Sequence, residues 1–231
     1  MEIKQGTITD ITQQGITIKV SYDNIDRLIK RKYETCLVGF NDGRKASDKQ
    51  LRTIYAFFGA IADWSGYDKD ETKDLMKITF RKNDDGLEKG IFSLADCDMT
   101  LAREFTKFLI KFLCQHDIPV FIGGKQISIL DFINDDKDLV AHQVWACLKY
   151  KRCVICGGAS EVHHTPVIGM GYDRTEIVHE GMTAQPLCRG HHTEAHTKGQ
   201  KEFDKLYHLT SIVLDKELCK VYDLKTKGVE K

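Results

Sequence analysis

At 231 residues the chain is long enough for one large domain or two small ones, and two is the expectation. Apolar residues make up 42% and prolines number only three, which argues against a disordered chain or a repeat solenoid. The formal net charge is zero, with 21 Lys and Arg against 23 Asp and Glu before residue 148 and 13 against 11 from there on, so a nucleic-acid role has to come from local patches or from a site.

The opening MEIKQGTITD has no apolar stretch of signal-peptide type, and no run of about 18 apolar residues follows. The expectation is a soluble cytoplasmic protein with no membrane partner, in a compartment that keeps thiols reduced. Its cysteines then read as metal ligands, buried apolar residues or catalysts.

Residues 2 to 20 alternate Ile3, Ile8, Ile11, Ile16, Ile18 and Val20 around Thr12-Gln13-Gln14-Gly15, which predicts a β-hairpin with one face buried. Asp23 to Lys32 predicts a short helix, and Thr35 to Phe40 a strand. Arg27, Lys30, Arg31 and Lys32 suit a solvated helix face or a phosphate contact. Ser47 with Gln50 forms a capping-box pair ahead of Leu51, Ile54, Tyr55, Phe58, Ile61 and Ala62 at helical spacing, and Trp64 and Gly66 mark the end. The aromatics Tyr55, Phe57, Phe58 and Trp64 read first as packing, with base stacking as the alternative. Asp70 to Phe80 predicts a second helix and Lys82 to Gly90 a loop. Asp98 can cap a helix carrying Leu101, Phe105, Phe108, Leu109, Phe112 and Leu113, which ends before Pro119. Cys97 and Cys114 flank it as small buried residues. A last helix of this half runs from Leu139 to about Lys149, with Trp145 and Cys147 packed, and a domain boundary is expected at about 148.

The run from Gly43 to Phe80, with the landmark DWSGY, and the run from Phe92 to Pro119, with SLADC, are similar to the lambda Orf (NinB) recombination-mediator family. The similarity spans roughly residues 44 to 120. It implies a dimeric front domain, residues 1–148, that binds single-stranded DNA and acts with single-strand binding protein and a phage recombinase.

Residues 153 to 199 carry most of the chemistry. Cys153 and Cys156 form a two-thiolate knuckle followed by Gly157 and Gly158, and Cys188 and His191 repeat the two-residue spacer. Two such half-sites in one reduced domain predict a structural Cys3His zinc. His192 and His196 are four apart and share a face if Arg189 to Lys198 is helical, while His191, about 100° away, serves the zinc. His163 and His164 follow Glu161 in an extended stretch where neighbours point to opposite sides. The economical division gives His163 to a second cation with His192 and His196 and leaves His164 as a base.

This arrangement resembles the HNH, or ββα-metal, nuclease family, particularly its colicin-type branch. The resemblance implies that His163, His192 and His196 hold a catalytic divalent ion (Mg²⁺, Mn²⁺, Ni²⁺ or Zn²⁺), that His164 activates water and that Glu161 supports. The family's central Asn is matched by Thr183, whose hydroxyl can donate or accept a hydrogen bond. A module that binds DNA without cutting is the alternative. The whole chain is similar to HNH nucleases encoded in phage recombination cassettes, which implies a phage-encoded protein acting on single-stranded or branched DNA in the host cytoplasm. Lys149, Lys151, Arg152, Arg174 and Arg189 are candidate phosphate contacts or ordinary surface charges. His116, His142, His179 and His208 have no partner spacing and read as structural or solvent-facing. The expected fold is α+β: a mixed helical and β front followed by a small zinc-stabilised ββα-metal domain over residues 149–231, closed by Phe203, Leu206, Tyr207, Ile212, Leu214, Leu218 and Val221.

Overall fold

The computed structural model describes residues 6–21, 25–32, 43–83, 92–165 and 177–227. Over them the chain is a mixture of helices and small antiparallel sheets. The expected strand at Thr35 to Phe40 and the candidate contact Arg174 lie outside the described residues.

Strands β1 (Gly6–Thr12) and β2 (Gly15–Val20) pair as the expected hairpin, with a register irregularity between Ile8 and Asp10. The expected buried face is not found. Ile8, Ile11, Ile16 and Val20 are all exposed, because alternation makes a face apolar but burial also needs another element laid on it. Helix α1 (Ile25–Arg31) follows with Ile25 and Ile29 exposed as well.

The helical core begins at α2 (Asp48–Ser65). The Ser47 hydroxyl accepts the Gln50 N–H at 3.2 Å while the Gln50 side chain accepts the Ser47 N–H at 2.9 Å, which satisfies two donors that the first turn would leave orphaned. Gly66, in the left-handed region at φ 78°, stops the helix by donating to Ala62. Helix α3 (Lys69–Asn83) runs past the expected Phe80, so Lys82 is helical rather than the start of a loop; residues 84–91 lie outside the described set. Helix α4 (Met99–His116) starts where the Asp98 carboxylate accepts the Leu101 N–H at 2.8 Å. Its Phe105 is fully buried and meets the rings of Phe58, Phe80, Phe92 and Phe108 within 6.0 Å. Of the α2 aromatics, Phe57 and Phe58 are core, whereas Tyr55 and Trp64 stay half exposed.

A short hairpin, β3 (Val120–Ile122) and β4 (Lys125–Ile127), leads through α5 (Leu130–Ile133) to α6 (Lys137–Lys149), which Asp136 caps. Behind α6 comes the three-stranded sheet β5 (Glu161–His164), β6 (Thr183–Leu187) and β7 (Ile212–Val213), all antiparallel with β6 central. Three helices flank it: α7 (Arg189–Lys198), α8 (Gln200–Tyr207) and α9 (Lys216–Val221). Pro186 sits in the central strand without breaking it. β7 pairs only as far as Ala184, so the missing N–H falls where no ladder bond is required, and the Pro186 carbonyl accepts the Val154 N–H at 3.0 Å.

Helix α6 packs against α4 and also against β6, β7 and α9. The buried apolar residues accordingly form a single cluster from Ile54 to Cys219, and the expected boundary at 148 falls in a helix that touches both parts. Cys97, Cys114 and Cys147 are buried as expected, with the Cys114 and Cys147 sulfurs 3.6 Å apart. No helix among the described residues is long and apolar enough to cross a membrane.

Phe105→Ala would open a cavity among four aromatic rings. It should lower the unfolding free energy by about 3–5 kcal/mol in urea denaturation; a loss below about 1 kcal/mol would contradict a core centred on this ring.

Candidate metal centres

The knuckle is shaped by backbone. Cys153 N–H donates to the Gly158 carbonyl at 2.6 Å, and Gly157 N–H donates back to Cys153 at 2.8 Å, with Gly157 at φ 75°. The bond from Val154 to Pro186 ties this turn to β6, which delivers Cys188 as the N-cap of α7. Cys153, Cys156, Cys188 and His191 thereby place their ligand atoms within 4.8 Å of one another. The Cys156 and Cys188 sulfurs are 3.8 Å apart, and His191 Nδ1 lies 3.4 Å from Cys153 Sγ and 3.1 Å from Cys188 Sγ. Zinc bonds of about 2.3 Å to sulfur and about 2.0 Å to nitrogen at tetrahedral angles call for separations of about 3.8 and 3.6 Å, so the donor set fits that ion. Burial pushes the Cys153 thiol up to about 12. Burial also acts on Cys188, but the backbone N–H groups of His191 and Gly190 and the neighbouring thiols bring it below its ordinary value.

The second cluster stands on the other side of α7's first turn. His163, His192 and His196 also lie with ligand atoms within 4.8 Å of one another, and their rings are 4.6 to 5.1 Å apart. His192 Nδ1 meets the Glu161 carboxylate at 2.5 Å, which leaves Nε2 as the nitrogen facing away from it. Arg189 adds a contact to the same carboxylate at 3.3 Å. Burial works against the Glu161 charge, but the hydrogen bonds from His192 and Arg189 hold its carboxyl below the usual range, so it is ionised at neutral pH. His163 is 1% exposed, and burial lowers its pKa against the opposing hydrogen bond to Gln200. A neutral imidazole is the form that can ligate a cation. Its Nε2 meets Gln200 Oε1 at 2.7 Å, and its Nδ1 is buried without a hydrogen-bond partner. A buried, unpartnered ring nitrogen on an imidazole clustered with two further imidazoles is the donor chemistry of a divalent-cation site.

His164 does not join that cluster. Alternation along β5 sends it the other way, where its Nε2 lies 2.9 Å from Nδ1 of His179. His179 is 4% exposed, so it is a partner of His164 and not the isolated residue that its spacing suggested; nothing local in the sequence signals the pair. Thr183 opposes the same corner. Its hydroxyl donates to the Thr165 carbonyl, and its own carbonyl accepts the Thr165 N–H at 2.8 Å. Thr165 Oγ1 also meets Ser211 Oγ at 2.7 Å, so the residue following His164 is held by β6 and by the residue just before β7.

Among the candidate phosphate contacts, Lys149 is paired with Glu217 at 2.6 Å and Arg152 with Asp117 at 2.8 Å. Lys151 lies over the Tyr222 ring. Arg189 is 85% exposed beside the second cluster. His142 bonds the Lys107 carbonyl and His116 packs on Trp64 and Phe112; His208 closes α8 in the left-handed region.

A family model described as "Putative HNHc nuclease" matches residues 18–225, nearly the whole chain, and the chain belongs to that family of HNH nucleases. No curated protein and no solved structure shows significant similarity to it.

If the four-ligand cluster holds zinc, Cys188→Ala should cost the protein one tightly bound zinc per chain by metal analysis and lower its melting temperature. Full zinc content in that variant would contradict the assignment.

Proposed function

We propose that the protein is a metal-dependent HNH endonuclease that hydrolyses phosphodiester bonds of DNA. The observation that carries this is the three-histidine cluster with the unpartnered Nδ1 of His163, held apart from the Cys3His set inside a chain of the HNH family. A zinc at Cys153, Cys156, Cys188 and His191 would stiffen the fold. His163, His192 and His196 would hold a divalent ion, which supplies charge stabilisation at the scissile phosphate and the leaving 3′-oxygen.

The protein's own groups then have distinct tasks. His164 takes the proton of the attacking water, its ring held by the contact between its Nε2 and Nδ1 of His179. Thr183 stands where the family carries Asn and holds the base-bearing segment through Thr165. Glu161 fixes the ring of His192. Arg189, exposed next to the cluster, is the cation placed to meet a DNA phosphate.

The proposal extends to the front half as a single-strand DNA surface in phage recombination, working as a dimer with single-strand binding protein and a recombinase in the host cytoplasm. Its support is the similarity over residues 44 to 120 together with Trp64 and Tyr67, each more than half exposed around the C-terminal end of α2. In that setting residues 1–148 bind and 149–231 cut.

Purified protein should cleave plasmid or single-stranded DNA in Mg²⁺, Mn²⁺ or Ni²⁺, and His164→Ala should lose at least about a hundredfold in rate, the usual scale of a missing general base. Absence of cleavage with every ion, or undiminished cleavage by the variant, would refute the nuclease reading and leave the DNA-binding module. Trp64→Ala should weaken single-strand binding by about 1–3 kcal/mol, the worth of one stacked base; unchanged affinity in a fluorescence titration would remove the stacking surface.

A further inference from the structure

Helix α8 lies beyond the strands and helix that carry the cation ligands, yet its first turn reaches into the second cluster. Gly199 makes this possible. At φ 84° it ends α7 and begins α8, so Gln200 emerges directly behind the last histidine-bearing turn; an L side chain would be strained there. Gln200 Oε1 meets His163 Nε2 at 2.7 Å, and Gln200 Nε2 donates to Asp204 Oδ1 at 2.8 Å and to Gln185 Oε1 at 3.2 Å. Gln185 is fully buried on β6 directly opposite His163 on β5, and its own Nε2 donates to the same Asp204 oxygen at 2.7 Å.

These contacts determine direction. A carboxylate oxygen accepts and does not donate, so Asp204 turns both amide groups with their NH₂ toward itself. Gln200 must then present its carbonyl to His163, and a carbonyl can only accept. Nε2 of His163 therefore carries the proton, and the lone pair lies on Nδ1, the atom that is buried and without a partner. Were Gln200 reversed, the amide would donate to Nε2, the proton would sit on Nδ1, and the ring would offer a cation an N–H in place of a lone pair.

We propose that Gln200, oriented by Asp204 and Gln185, is the positioning group that fixes His163 in the Nε2–H tautomer and so presents Nδ1 to the divalent cation. This rests on the reading of His163, His192 and His196 as a cation site. It adds to that reading a role for three residues outside the ligand set, all held by α8 and the middle of β6. Groups that orient metal-bound histidines in this way are typically worth ten- to a hundredfold in affinity.

The test uses full-length protein carrying one zinc per chain. Nitrogen-15 NMR of the histidine rings, before a second ion is added, should show His163 protonated at Nε2. Calorimetric titration with Ni²⁺ should show Gln200→Leu binding the second ion about ten- to a hundredfold more weakly than wild type, with the zinc retained as a check on the fold. The exchange Gln200→Glu with Asp204→Asn keeps an acceptor toward His163. With the Gln185 amide turned over, its oxygen accepts from the new amide and its NH₂ donates to the new carboxylate, so every partner is satisfied again and most of the affinity should be recovered. Gln200→Glu alone sets two carboxylates together and should not. A His163 protonated at Nδ1, or Gln200→Leu binding Ni²⁺ as tightly as wild type, would overturn the proposal. A wild-type protein that takes up no second ion would instead overturn the cation-site reading, and the NMR result would still decide the tautomer.

Discussion

The register of β5 on β6 is the constraint on which the rest of the site depends. His163 stands opposite Gln185 and His164 opposite Ala184. A slip of one residue would exchange the two histidines between the faces of the sheet, sending His164 to the imidazoles of α7 and His163 to His179. The register is secured from several directions at once: Thr165 bonds to Thr183 at one end, Val154 bonds to Pro186 near the other, and the Gln185 network lies between. Each bond is modest, about 1 kcal/mol net, but together they favour one alignment, in which the buried Gln185 amide is paired and His163 Nδ1 is not.

Helix α7 turns this alignment into two separate ligand sets. Its first turn gives His191 to the cysteine cluster, the next residue starts the histidine cluster, and His196 follows one turn on. The angular step between neighbours in a helix separates two adjacent histidines into different environments. Charge is arranged with the same economy. The chain has no net charge, Lys149 and Arg152 are neutralised by Glu217 and Asp117, and among the described residues Arg189 is a strongly exposed cation beside the histidines, itself in contact with the Glu161 that orients His192. Charge at this place is thus a local feature of the site and not a general basic surface.

How much of this could be read from the chain depended on whether the signal was local. Ser47 with Gln50 and Asp98 with its following apolar stripe are local grammars, and both helices start there. The spacing of Cys153, Cys156, Cys188 and His191, and of His192 and His196, likewise carries its geometry within it. The exposed hairpin went the other way, because a pattern of alternating isoleucines specifies a face and not what covers it. His179 and Gln200 were invisible as partners. The first is 15 residues from His164 and the second 37 from His163, distances that only the folded sheet closes. The pair Gln200 and Asp204 does have helical spacing, but without His163 in place it looks like any polar helix face. The expected boundary, in or just after the Leu139 helix at about 148, falls where α6 packs on elements before and after it.

The central claim is that residues 153 to 196 form two cation sites of different character in one small fold. Native mass spectrometry of the intact protein, purified with zinc and then given Ni²⁺, counts them directly. Two ions per chain are expected, one zinc that survives mild chelation and one nickel that does not, with the nickel alone lost from His196→Ala. A single ion per chain under all loading conditions, or loss of both ions together in that variant, would contradict the division.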